Sequence, residues 1–329
     1  MALSGTAIVV SGDLVSSYMS GQSANAIIPT GASSGQVLNC SCASGGLIYQ
    51  VDGASSKLII SGGGYLLVSN VTQTGTVLTQ DVDVSGGAVH VRAGAQLSSF
   101  QVFSGGQVFV SSGGTAVSGS VKAAGAANIY NGGTGINLTG ITDSGIRVSS
   151  GGVLHISSGF TTGKAVFTGG VGSVYSGAVL QSSYITNDPV VRIWGRGETI
   201  TISNMSGVGS TVVHSGGTGQ QITVAAGGKL YLVGGQLLSS YISGTDAYVM
   251  FYQSSYSYMS NCSCVAGGAL YQRGGQAQNI AVADGTFYMT KMADSTLGTL
   301  SGFTLSGGSA VISAGNVSNC DIHHGTAWV

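Results

Sequence analysis

The sequence predicts an all-β chain wound as a parallel β-helix, or β-solenoid, with about 19 residues per rung. Three observations predict it. Gly-Gly pairs recur at fixed offsets, a period-two apolar segment follows many of them, and a second apolar couple precedes them. The pairs begin at Gly86, Gly105, Gly113, Gly132 and Gly151, in steps of 19, 8, 19 and 19, and return at Gly216, Gly227 and Gly234 and at Gly267 and Gly274. Self-similarity near 20 residues marks a solenoid, in which each repeat buries its apolar face only against its neighbours.

Aligned on the glycines, GGLIYQ (45–50), GGAVHV (86–91), GGQVFV (105–110), GGVLHI (151–156), GGKLYL (227–232) and GGALYQ (267–272) share one pattern. It runs apolar, then aromatic or His, then mostly apolar. The period is two, so these are strands with Ile48, Val89, Val108, Leu154, Leu230 and Leu270 facing inward. Five and three residues before a pair stand Phe100 and Val102, Ile146 and Val148, and Ile222 and Val224, alternating with polar residues as a half-buried strand does. Glycine at the corners supplies the positive φ that lets strand follow strand at once.

Equivalent strands of successive rungs run the same way and pair as parallel sheet, and the crossover rule makes the coil right-handed. The expectation is one solenoid over 1–329, about 17 rungs and on the order of 80 Å long. Irregular rungs or a cap are expected over 1–35. Irregular rungs with a projecting loop are expected over 171–215, where Pro189, Arg192, Trp194, Arg196 and Glu198 interrupt the spacing.

Composition narrows the function classes. Glycine accounts for 57 of 329 residues but proline for 2, without the period of three that collagen needs. Charged residues are 6% and the net charge is −1, so there is no basic stripe for nucleic acid. Apolar residues are interleaved with Ser and Gly, and no run reaches the length of a membrane-spanning helix. The segment MALSGTAIVVSGDLVSS has no basic region and an apolar run of only four residues, Ala7 to Val10. The expectation is therefore a mature or excised passenger, or an unusual export route.

Five cysteines include two Cys-x-Cys pairs in nearly identical settings, NCSCASGGLIYQ and NCSCVAGGALYQ. Register places Cys40, Cys42, Cys262 and Cys264 where other rungs carry core residues, so packing is expected rather than a metal site with Cys320, His323 and His324. Cys262 and Cys320 are 58 residues apart, three rungs, which is too far for a disulfide. No cofactor or metal is expected. The best carboxylate cluster is Asp81 with Asp83, followed on the next arm by His90 and Arg92; solvation is the expected role of the two carboxylates, and no catalytic residue is assigned.

Three features are candidates for binding. Tyr49, His90, Phe109, His155, Tyr231 and Tyr271 fall at one place in the motif, an outward column that either binds sugar rings or proteins or stacks on itself. Arg192, Trp194 and Arg196 form a candidate loop site. The stretch 240–260 carries Tyr241, Tyr248, Phe251, Tyr252, Tyr256 and Tyr258, as a contact patch or as local core filling.

The units FQVFSGGQVFVSSGGTAVSGSVKAAG (100–125) and QQITVAAGGKLYLVGGQ (220–236) resemble the repeats of AIDA-type adhesins, the passenger regions of bacterial autotransporters. The resemblance covers most of the chain, more weakly over 1–35 and 171–215. It implies a right-handed parallel β-helix, display at the bacterial cell surface, adhesion or self-association, and in some relatives glycosylation of Ser or Thr. After the last repeat only CDIHHGTAWV remains, where an autotransporter carries a translocator barrel. Two functions follow as expectations. The first is a non-catalytic structural or adhesive rod whose partners are itself, surface glycans or proteins. The second is a carbohydrate-active β-helix, either a lyase or hydrolase or a glycan-gripping fibre module. Uncapped strand edges at the ends add an expectation of end-to-end stacking into fibres.

Overall fold

The computed structural model describes residues 2–3, 5–32, 34–70, 77–140, 145–251, 256–291 and 297–329, without the side chains of the first two. The chain makes about 16 turns of about 19 residues. Two compact units are present: residues 1–155 with 162–166, and 156–161 with 167–329. Among the described residues every regular element is a β-strand, and no helix is long and apolar enough to cross a membrane.

In each unit a turn is built from two kinds of arm. The straight arm is a run of four or five residues such as Ala88–Arg92 or Gln107–Val110, with strict alternation of buried and outward side chains. In the first unit these stack in parallel as Ala26↔Ile48↔Leu66↔Val89↔Val108↔Ala127↔Ile146, all fully buried. In the second unit the ladder runs Val191↔Thr211↔Leu230↔Val249↔Leu270↔Phe287↔Ala310. Each inward side chain thus packs on its own equivalents above and below, which is how a narrow coil makes a continuous core.

The bent arm is where sequence alternation fails. In Gln96–Val102 the inward residues are Leu97, Phe100 and Val102, with Ser98 and Ser99 both outward. The reason is the backbone of Ser99, whose φ of 52° is left-handed and inserts one extra residue at the bend. The same device recurs in the first unit at Asn39, Lys57, Asp81, Ser118 and Asn137, with φ between 51° and 54°. In the second unit it recurs at Ser182, Thr199, Gln221, Ser239, Asn261, Asn279 and Asn319, with φ between 48° and 54°. Most of these are Asn, Asp or Ser, whose short polar side chains tolerate the left-handed region. In the second unit the side chains also form a ladder, Asn279 Nδ2 donating to Asn261 Oδ1 at 3.0 Å. Gly302 takes the next place, where a Cβ would lie 2.5 Å from the Asn279 Oδ1.

The two glycines of a corner pair answer different needs. Gly105 is left-handed at φ 71°, whereas a Cβ on Gly106 would lie 2.3 Å from the carbonyl oxygen of Val84 in the turn below. The pairs punctuate both kinds of arm: Gly105 leads into the straight arm Gln107–Val110, and Gly113 into the bent-arm strand Thr115–Val117. That accounts for the step of 8 residues.

The two segments expected to be irregular lie in the ladders, although turn length varies there, being 17 residues from Val179 to Arg196 and 22 from Arg196 to Thr218, and Val208 is exposed in the connection between Ser203 and Ser210. The segment 187–200 is not a loop but two strands of an ordinary turn, with Val171↔Val190↔Ser210 on one face and Val179↔Arg196↔Thr218 on the other. Its break in glycine spacing arises because Gly195 alone fills the tight corner, where a Cβ would sit 2.3 Å from the Tyr175 carbonyl oxygen. Within 1–35, Tyr18 pairs with Ala2 and Ser41, and Asn25 with Thr6 and Leu47, so this segment also lies in the ladders.

Candidate functional site

The six residues of the predicted outward column do not form one column. Tyr49, His90 and Phe109 belong to one straight-arm ladder, Ile27↔Tyr49↔Leu67↔His90↔Phe109↔Asn128. His155 lies in the same unit but pairs with Ile136, part of a bent arm, and therefore sits on the other sheet. The order of arms slips there by half a turn: after Thr134–Ile136 and Thr139–Gly140 the next partner on that sheet is the straight arm Val153–Ile156. Tyr231 and Tyr271 lie in the second unit, in the ladder Val212↔Tyr231↔Met250↔Tyr271↔Tyr288.

Ring geometry shows what these ladders present. His90 stacks on Phe109 at 4.7 Å between centroids and 15° between planes. Tyr271 stacks on Tyr288 at 4.9 Å and 4°. Parallel rings at that spacing cover each other's faces. Tyr248 breaks the pattern. It stands at 84° to Tyr231 and 89° to Tyr271, and its hydroxyl shares a hydrogen bond with that of Tyr231. Burial, and then that hydrogen bond, push the Tyr248 phenol far above its ordinary range, so it stays neutral.

Arg192, Trp194 and Arg196 are brought to one corner of a turn. Trp194 is the middle of a stack, 5.9 Å from Tyr175 and 4.5 Å from His214, both within 9° of parallel. Arg192 projects from the straight arm Val190–Ile193, and Arg196 begins the next strand, with Nε 3.1 Å from Glu198 Oε1. Burial, with Arg192 adding to it, lowers the His214 pKa and keeps its imidazole neutral. Its Nε2 is buried with no hydrogen-bond partner among the described residues.

In the stretch 240–260 the described strands Tyr241–Ser243, Tyr248–Phe251 and the start of Tyr258–Val265 lie in the ladders, but the aromatics diverge. Tyr241 and Tyr256 are exposed, Tyr248 and Tyr258 are half-buried, and Phe251 is core. Tyr252 lies outside the described residues. Tyr248, Tyr271 and Tyr288 edge a groove of about 1060 Å³ in the second unit. The left-handed corner residues Asn187, Asn204 and Asp246 line it too, and the small residues Ala226, Gly227, Gly267 and Ala269 come between corner and tyrosines along their arms. Sequence reasoning missed the groove, because six separate turns contribute to it and none contributes more than three residues.

Asp81 and Asp83 line a smaller groove of about 460 Å³ in the first unit, together with Lys57, Ser99 and Gln101. Asp81 is the left-handed residue of its bent arm, whereas His90 and Arg92 belong to a straight arm on the other sheet, so this group is not assembled. The four Cys-x-Cys thiols are buried, and all five cysteines are free. Burial pushes Cys262 and Cys264 up to about 11. The ladder Cys262↔Ile280↔Phe303↔Cys320 separates Cys262 and Cys320 by three turns.

Fold and surface together define a parallel β-solenoid with aromatic ladders on its straight arms. No family model and no curated protein matches this chain. Among solved structures it is similar to a TibC-catalyzed, hyper-glycosylated fragment of TibA, at 19% identity and a TM-score of 0.41, over 100% of this chain and 98% of that one. An endo-xylogalacturonan hydrolase from Aspergillus tubingensis is similar at 11% identity and a TM-score of 0.16, over 92% of this chain and 86% of that one.

Proposed function

We propose that this chain is a non-catalytic adhesive solenoid that works at the bacterial surface or outside the cell, binding surface glycans, proteins or further copies of itself. The observation that carries this reading is the outward side of the straight arms. There aromatic and hydroxyl-bearing side chains repeat from turn to turn, on strands whose backbone groups are already paired. Such a face offers repeated contacts along its length. The repeats' resemblance to adhesin passenger units points the same way.

The test is to display the chain on a non-adherent cell or bead and measure attachment to surface glycans and proteins, with self-association followed by sedimentation. Attachment or concentration-dependent assembly is expected; a monomer that binds no surface overturns the reading.

One observation favours a carbohydrate-active alternative: Asp81 and Asp83 share a groove with Lys57. Two carboxylates on one groove are the minimum for glycoside hydrolysis. New polysaccharide ends released by the intact chain, and abolished in Asp81→Asn or Asp83→Asn, would replace the adhesive reading.

A further inference from the structure

We propose that the groove edged by Tyr248, Tyr271 and Tyr288 is a binding site for a short, linear, uncharged oligosaccharide laid along the stacking direction, deepening and resting on the adhesive reading above. Its lining runs from the turn of Asn187 to that of Thr286. The connections Asn187 to Asn204, Asn204 to Ala226 and Gly227 to Thr245 are turn-to-turn hydrogen bonds, and Tyr248, Ala269 and Thr286 continue the ladder. That is five spacings of about 4.8 Å, a length for several sugar rings rather than one.

The chemistry of the walls selects the class. One side carries the amides of Asn187 and Asn204, the other carries phenol hydroxyls, and Ser206 and Thr286 add further hydroxyls. Among the described residues the lining has one cation, Lys229, and one anion, Asp246, and the Lys229 Nζ already donates to the Gly207 carbonyl oxygen at 2.9 Å. A uronate or sialate calls for a free guanidinium fork, and among the described residues no arginine lines this groove. Burial raises the pKa of the Tyr271 phenol as well as that of Tyr248, so both remain neutral donors at physiological pH. Tyr248, which is not face-stacked on either neighbour, is the ring left to meet the C–H face of a sugar.

An extended peptide fits less well. Peptides added to a sheet need an open strand edge, and here Tyr248, Ala269 and Thr286 are each paired on both sides, leaving side chains alone to recognise a ligand. Among extended polymers, one bearing rings and hydroxyls matches that lining.

The experiment screens the intact chain against neutral and acidic oligosaccharides, then titrates a neutral trisaccharide and hexasaccharide of the best series by calorimetry. Neutral glycans are expected to bind, with the hexasaccharide at least ~10-fold tighter than the trisaccharide. Ala269→Gln, a polar residue on an outward position of the groove, should weaken binding at least ~10-fold with circular dichroism unchanged; Tyr248→Ala should do the same and Tyr248→Phe less. Binding confined to acidic glycans, displacement by extended peptides alone, or full affinity in Ala269→Gln overturns the site. Attachment that persists in Ala269→Gln while glycan binding is lost overturns this groove as the adhesive site and leaves the adhesive reading standing. Glycan binding by a chain that attaches to no surface does the reverse.

Discussion

Gln50 and Gln272 end two almost identical segments, NCSCASGGLIYQ and NCSCVAGGALYQ, and each is completely buried at the last inward place of its straight arm. Their hydrogen bonding differs. The Gln50 Nε2 donates to the carbonyl oxygens of Gly53 and Leu78, and its Oε1 accepts from the hydroxyls of Ser55 and of Thr79, the latter at 2.7 Å. The Gln272 Nε2 likewise donates to Gly275 and Thr299, but its Oε1 has no partner among the described residues. The positions that hold Ser55 and Thr79 in the first unit hold Ala277 and Leu300 in the second. Nearly identical local sequence therefore builds the same turn twice, while the neighbouring arm decides whether a buried amide is satisfied.

The largest test of that contrast is Gln50→Leu. It leaves the Ser55 and Thr79 hydroxyls only each other, 3.0 Å apart, so one hydroxyl donor and two carbonyl oxygens lose their partner, and it should cost about 3 kcal/mol at about 1 kcal/mol for each of the three. Hydrogen exchange over residues 47–102 reads the loss directly. Gln272→Leu strands the two carbonyl oxygens at about 1 kcal/mol each but removes an amide oxygen that is already unpaired, which recovers about 1 kcal/mol, so its net cost should be about 1 kcal/mol. Equal losses at the two sites would break the comparison. Ala277→Ser sharpens it by supplying the missing donor, with a gain of about 1 kcal/mol over residues 269–305 that disappears when combined with Gln272→Leu.

The bent arms give the next test. Thr199 is β-branched yet held at φ 51°, whereas Asn261 occupies the corresponding bend at φ 54°. The left-handed region costs ordinary residues about 1 to 2 kcal/mol, less for asparagine. Thr199→Asn should stabilise by about 1 kcal/mol and Asn261→Thr should destabilise by a similar amount in denaturant titrations. No response at either site would show that packing, rather than backbone preference, holds the bend.

These sites also show which parts of the fold were legible. The straight arms were the most readable, because alternation holds in most of them and most inward positions repeat their neighbour's type, as Val89 and Val108 do. The cysteines were placed correctly for the same reason. The bends were not readable, since a left-handed Ser99 or Asn137 looks like any outward polar residue until backbone angles are known. One inserted residue per bend shifts alternation, so Leu97 escaped a count made backward from the glycines. His155 was misplaced because motif position and position in space coincide only while the two arms keep their order. The tyrosine ladder left a trace in the sequence; the groove beside it did not, being defined by what its Ala and Gly residues lack.

The smallest effect compares two histidines that share one environment in different units. His90 stacks on Phe109 with Arg92 nearby, and His214 stacks on Trp194 with Arg192 nearby. Burial first, and the arginine second, lower both pKa values below 6.5. A base whose folded pKa is depressed takes up fewer protons folded than unfolded, so its contribution to stability is complete above the unfolded value and declines as pH falls through it. Both units should therefore lose a little stability between about pH 7 and pH 5, beyond what their carboxylates account for. His90→Gln should flatten that slope in hydrogen exchange of the first unit only, and His214→Gln in the second only. Were one substitution to flatten both, the proton linkage would have to pass between units, and stability would not be local to the turns that carry each ring.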